Sequence, residues 1–180
     1  MFCTCIFTFG IQPPKDTNPC PIKILAPSLF LLTRRTVYER MGEGAVHRRG
    51  EAKFEEILAS FRRSLPGDVG GIGCFIGIVR GITGTGRNVR SLRYECAEDI
   101  ASKLKAIADD AEKMPGIRRA SIHHVIDELS PGDDTVYVLV AGRGRREVFR
   151  ALEGIMERVK KEPLIWKKEV TQNGEYWVQE

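Results

Sequence analysis

Cysteine, one-sided charge and uninterrupted apolar stretches are all scarce in this 180-residue chain. The five cysteines are odd in number and irregularly spaced, with Cys3, Cys5 and Cys20 in the first 20 residues and Cys74 and Cys96 in segments that read as strands. That pattern excludes a disulfide framework and fits a reducing, cytoplasmic setting. Cys3, Cys5 and Cys20 lack the fourth ligand that a structural zinc site needs, so no metal site is expected. The longest apolar stretch, residues 24–32, contains Pro27 and Ser28 and is too short to span a bilayer. The N-terminus has no basic start followed by a continuous apolar region, so it does not read as a signal peptide, and no membrane partner is expected. The formal net charge is +4, but five of the 28 Lys and Arg and two of the 24 Asp and Glu lie in residues 1–40, leaving 23 against 22 in residues 41–180. The body carries no global field for nucleic acid, so an anion site there must be a local concentration of charge.

What is present is the composition of one soluble domain, 42% hydrophobic and 29% charged. Residues 1–40 stand apart, with two short apolar runs broken by Pro, Gly and Asn. They are expected to be a poorly ordered extension, translated from upstream of a natural start at Met41. From Glu51 onward helical and strand patterns alternate. Phe54, Ile57, Leu58, Phe61 and Leu65 recur at three and four, which predicts an amphipathic helix. "GIGCFIGIVR", residues 71–80, reads as a buried strand, and "VRSLRYEC", residues 89–96, as an alternating one. A second helix is predicted at about residues 98–113, with Ile100, Leu104, Ile107, Ala108 and Ala111 on one face. A strand through "RRASIHHVIDEL", the turn "SPGDD" and the strand "TVYVLVAG" follow. Val148, Phe149, Leu152, Ile155, Met156 and Val159 form the stripe of a third helix over residues 145–161, which Pro163 ends. Asn173-Gly174, between two alternating pieces, predicts a closing hairpin. The order predicts an α+β domain of antiparallel strand pairs with three main helices packed against the sheet.

Several segments are candidates for chemistry. "GITGTGRN", residues 81–88, has the glycine spacing of a phosphate-binding loop, but Arg87 and Asn88 replace the Lys and hydroxyl, and the segment opens a strand instead of a helix. It reads as a loop and not as a nucleotide site. His123 and His124 are adjacent on a predicted strand, so their side chains point to opposite faces and cannot hold one metal together. One of them is a candidate acid or base, the alternative being one packed and one exposed histidine. Arg143, Arg145 and Arg146 open the third helix, where free amides and the dipole already carry positive charge. Arginines there need an anion. Lys160 and Lys161 end that helix, as the dipole favours, but Lys167 and Lys168, just past Trp166, have no such explanation. Neighbouring cations or burial make a lysine a competent proton donor or nucleophile.

"GIVRG", "LRYECAEDIA", "SIHHVIDELSPGDDTVYVLVAGRGRREVFRALEGIMERVKKEPLIWKKE" and the closing "YWV" together resemble the large, catalytic subunit of molybdopterin synthase over about residues 70–178. The resemblance implies a hammerhead-like α+β fold over residues 41–180, a homodimer within a heterotetramer, and no resident cofactor. It implies a small ubiquitin-like sulfur-carrier subunit, whose C-terminal Gly-Gly thiocarboxylate delivers sulfur to cyclic pyranopterin monophosphate and builds the dithiolene of molybdopterin. By the same resemblance Lys160 and Lys167 are the catalytic lysines, Lys160 handling protons or the acyl-carrier intermediate and Lys167 helping to bind the precursor. Arg80, His123 and Arg145 are implied as substrate-binding residues, with Arg143 and Arg146 as supporting cations.

The sequence departs from that family's pattern at two places in the site. His124 stands where the second residue of a His-Arg pair is usual, and Gly144 replaces the histidine of an Ala-His-Arg turn. The Gly144 difference raises a rival reading, a degenerate paralogue that binds the carrier without efficient turnover. A nucleic-acid-binding domain would need exposed aromatics interleaved with the charges, and only Trp166 lies in the basic patch. No nucleic-acid partner is expected.

Overall fold

In the computed structural model the described residues are 41–96, 99–162, 165–171 and 174–178. They form β1 (Glu43–Arg48), α1 (Phe54–Arg63), β2 (Gly71–Ile78), β3 (Val89–Cys96), α2 (Ile100–Glu112), β4 (Ile117–Ile126), β5 (Glu128–Leu129), β6 (Asp134–Gly142), α3 (Arg145–Lys161), β7 (Ile165–Thr171) and β8 (Gly174–Val178). The expected α+β class is observed. Two four-stranded sheets carry it, one ordered β1-β4-β6-β2 and the other β5-β3-β7-β8.

Strand β6 shows why the first sheet is buried on both faces. Val136, Val138 and Val140 join Leu104, Ile107, Ile122 and Ile155 in one core, while Tyr137, Leu139 and Ala141 join Phe61, Leu92 and Leu129 in another. Period-two alternation of apolar residues on both faces requires cover on both sides. Helices α2 and α3 cover the first face, and α1 with β3 and β5 covers the second. The three helices therefore divide between two faces. Helix α1 matches its dipole at both ends, with Glu55 and Glu56 in its first turn and Arg62 and Arg63 in its last, and α3 does so at its C-terminal end with Arg158, Lys160 and Lys161.

Several expectations are corrected. Residues 43–48, given no element from the sequence, form β1 and pair in parallel with β4, so not every strand pair is antiparallel. Gly42 and Gly44 permit this, because a Cβ on Gly44 would lie 2.1 Å from the Lys105 backbone nitrogen of α2. Strands β2 and β3 do not pair with each other. Strand β2 joins β6, whereas β3 joins β5 and β7. The segment between them folds back locally, with an Ile82–Asn88 bridge and a turn at Gly86 with φ 82°. The single strand expected through "RRASIHHVIDEL" is interrupted at Asp127, whose φ is 147°, and this splits β4 from β5.

The supposedly buried strand β2 is an edge with Phe75, Ile76 and Ile78 exposed, and Phe149, assigned to the stripe of α3, is 62% exposed. Apolar composition identified these elements but not which face lay inward. Gly174, expected in the turn of the closing hairpin, instead pairs with Thr171 as the first residue of β8. Residues 172 and 173, Pro163 and residues 1–40 lie outside the described residues. Among the described residues no helix is long and apolar enough to cross a membrane.

Candidate active site

A cavity of about 460 Å³ opens where the two sheets meet the end of α3. Arg80 follows β2, Lys160 comes from the last turn of α3, and Lys167 comes from β7, so three cations from distant parts of the chain line one space. Its apolar wall includes Phe75, Ile76, Met156, Val159 and Ile165, and Tyr94 and His124 complete it. Strand alternation explains the Lys167-Lys168 pair. Ile165 and Lys167 line the cavity, whereas the intervening Trp166, 49% exposed, does not. The strand thus divides the apolar-basic cluster seen in the sequence between two faces.

The two histidines divide in the same way. His124 shares its parity along β4 with Ala120 and Ile122, on the face covered by α2 and α3, and its ring meets Tyr94 edge-on at 5.2 Å between centroids. Burial pushes its imidazole down to about 4, against a small opposing effect of the backbone hydrogen bond to Val125. Tyr94 is held over it because Tyr94 pairs with Lys167 in the β3-β7 ladder.

His123 does not line this cavity. It belongs to a second one of about 250 Å³, with Glu43, His47, Glu51 and Glu56. Its Nδ1 lies 3.0 Å from His47 Nε2, its Nε2 lies 2.5 Å from Ser121 Oγ, and the two imidazoles stack. Burial lowers its pKa, Glu43 opposing and His47 adding to the shift.

The arginines at the start of α3 also lie elsewhere. Arg143 Nε donates to Asp68 Oδ2 at 3.1 Å, and Arg118 grips the same carboxylate through Nε and a second nitrogen. These hydrogen bonds, Arg118 first, hold Asp68 at about 2. The anion that the sequence seemed to require at this helix start is, for Arg143, supplied by the protein itself. Arg145 and Arg146 are exposed, and fifteen residues of helix place Arg145 about 22 Å along the axis from Lys160.

The described chain thus brings together Arg80, Lys160 and Lys167, but not His123, Arg143, Arg145 or Arg146. Tyr94 and Met156 are wall residues that the sequence reading did not place in the site, and of the two candidate histidines it assigned substrate binding to His123 and not to His124. For His124 a signal existed, because residues 120, 122 and 124 share one face of β4.

An α+β domain with a cation-lined, partly apolar cavity between its sheets defines a class of protein suited to holding an anionic organic ligand. The family model described as "MoaE protein" matches residues 47–162. The molybdopterin synthase catalytic subunit of Pyrococcus abyssi is 39% identical over 127 residues, covering 70% of this chain and 83% of that protein. The crystal structure of molybdopterin synthase from Staphylococcus aureus superposes with a TM-score of 0.67 at 29% identity, covering 77% of this chain and 97% of that one. A complex of subunits 1 and 2 of the molybdopterin-converting factor from Helicobacter pylori contains a chain of the same fold, with a TM-score of 0.61 at 18% identity, covering 76% of this chain and 90% of that one. This chain belongs to the MoaE protein family.

Proposed function

We propose that this chain is the catalytic subunit of a molybdopterin synthase. It accepts sulfur from the C-terminal thiocarboxylate of a small ubiquitin-like carrier and transfers it to cyclic pyranopterin monophosphate, forming the dithiolene of molybdopterin. The convergence of Arg80, Lys160 and Lys167 on one cavity carries this reading. Both reactants are anionic, and cationic donors that converge on one cavity beside an apolar wall stabilise their charge. In this reading Arg80 and Lys167 bind the precursor anion, while Lys160 moves protons or handles the acyl-carrier intermediate.

The name of the Helicobacter pylori complex, with its two subunits, supports a small protein partner. The edge strand β2 offers surface for one, since Phe75, Ile76 and Ile78 are exposed and line the cavity. Arg145 and Arg146, with Arg143 beside them, lie too far along α3 to reach the cavity of their own chain. They serve substrate binding only when a second copy presents them, which is the arrangement of a homodimer within a heterotetramer. His123 remains outside the cavity and is assigned no contact with substrate. The catalytic unit spans residues 41–180, and residues 1–40 are an extension to it. The location is cytoplasmic, where Cys74 and Cys96 stay as the free thiols observed. Gly144, the position behind the binding-only alternative, caps the start of α3 and is not among the cavity residues.

The test combines full-length protein, a thiocarboxylated carrier and cyclic pyranopterin monophosphate, with molybdopterin read by the fluorescence of its oxidised derivative. Product that is lost in Lys160→Ala is expected. Absence of product with the native chain, despite complex formation with the carrier, overturns the reading.

A further inference from the structure

Among the polar side chains that line the cavity besides the three cations is His124. Nδ1 of His124 lies 3.0 Å from the carbonyl oxygen of Val125. A carbonyl only accepts, so Nδ1 carries a proton, and in the neutral ring, which burial favours, Nε2 is left with a lone pair. Among the described residues this is the ring's only hydrogen bond, and the edge-on contact with Tyr94 fixes the plane of the ring. The side chain lines the cavity yet is only 6% exposed, so its orientation is set by packing and not by solvent.

A neutral acceptor beside Arg80, Lys160 and Lys167 has a specific chemical meaning. It repels the lone pairs of a phosphate or thiocarboxylate oxygen and attracts an N–H or O–H. We propose that Nε2 of His124 accepts a hydrogen bond from an N–H of the substrate's pterin ring, orienting a ligand whose anionic groups rest on Arg80, Lys160 and Lys167. This rests on the synthase reading above and deepens it. The cavity then recognises two chemistries at once: an anion on its cationic side, and a heterocyclic donor at His124 and Tyr94. An arginine at residue 124, as the sequence pattern led one to expect, offers only donors and demands an acceptor from the ligand. The histidine therefore reverses the polarity of this contact.

Two variants of the full chain test it, His124→Phe, which keeps an aromatic ring but no acceptor, and His124→Gln, which keeps an acceptor oxygen on a side chain of similar reach. With the precursor varied at saturating carrier, His124→Phe is expected to raise KM for the precursor about tenfold, the loss of one hydrogen bond to a bound ligand. His124→Gln recovers at least half of that change on a logarithmic scale, and the affinity for the carrier is unchanged in both. In parallel, nitrogen-15 NMR of the native chain labelled at histidine reads the ring directly. Nδ1 is expected to be protonated, and Nε2 unprotonated and shifted when precursor is added.

A His124→Phe enzyme with native KM, or an Nε2 that is protonated or unmoved by a precursor the enzyme turns over, overturns the inference and leaves the synthase reading intact. An equal loss in both variants accompanied by a loss of carrier affinity assigns His124 a structural role and also overturns it. Failure of the synthase reading looks different, because the native chain then makes no product and precursor moves no histidine resonance.

Discussion

His123 and His124 share a peptide bond and line different cavities. His124 faces the space of Arg80, Lys160 and Lys167, while His123 stacks on His47 beneath α1. Both are buried, at 4% and 6% exposure, and burial lowers both pKa values.

The unfolded chain protonates these imidazoles near pH 6.5, whereas folded His124 does so only at about 4. A depressed folded pKa means stability that is complete above pH 6.5 and is lost as the pH falls towards 4, on the order of 3 kcal/mol from His124. His123 acts in the same direction. Urea midpoints measured between pH 7.5 and 4.5 should fall with acid, and the fall should be shallower in His124→Phe. Equal slopes for the two proteins would contradict the burial argument.

Gly44 and Gly154 make opposite stability predictions. A Cβ on Gly44 meets Lys105 backbone nitrogen at 2.1 Å and Leu104 backbone carbon at 2.6 Å, atoms that cannot yield without moving β1 off α2. Gly44→Ala should cost about 2 to 3 kcal/mol. Gly154 lies inside α3 with nothing within 4 Å of its added carbon, so Gly154→Ala should stabilise by about 0.5 to 1 kcal/mol. Chemical denaturation of the two variants checks both signs.

Separation of Arg145 from Lys160 along α3 predicts complementation between inactive chains. If each cavity takes Arg145 from a partner copy, Lys160→Ala and Arg145→Ala are each inactive in isolation. Unfolded and refolded together in equal amounts, they should regain about a quarter of native activity, since half of the dimers are mixed and each mixed dimer holds one intact site. No recovery, with mixed dimers confirmed by mass spectrometry, would show that Arg145 does not act across a dimer.

Removal of residues 1–40 should leave the melting temperature and synthase activity unchanged. The two cores among the described residues are built from residue 46 onward. A drop of more than a few degrees on truncation, or peptides from residues 1–40 in the mature native protein, would contradict their reading as an upstream-translated extension.

Residue type and period were enough to locate the three helices and most strands. Leu104, Ile107, Ala108 and Ala111 recur on one side of a helix, so the core side of α2 was legible from spacing alone. Resemblance, not spacing, singled out Lys160 and Lys167. Strand β1 was not legible, because six mixed residues acquire their partner only from β4, more than seventy positions later. Phe149 was assigned inward because hydrophobicity does not distinguish a core face from a face left for another molecule.

His124 was passed over for a related reason. Alternation places adjacent side chains on opposite faces, but only the packed sheets decide which face borders a cavity. Sequence by itself determined the α+β pattern and the supply of cations. Tertiary structure alone decided which of them meet, because Arg80, Lys160 and Lys167 come from three elements whose juxtaposition depends on non-local pairing of β2 with β6 and of β3 with β7.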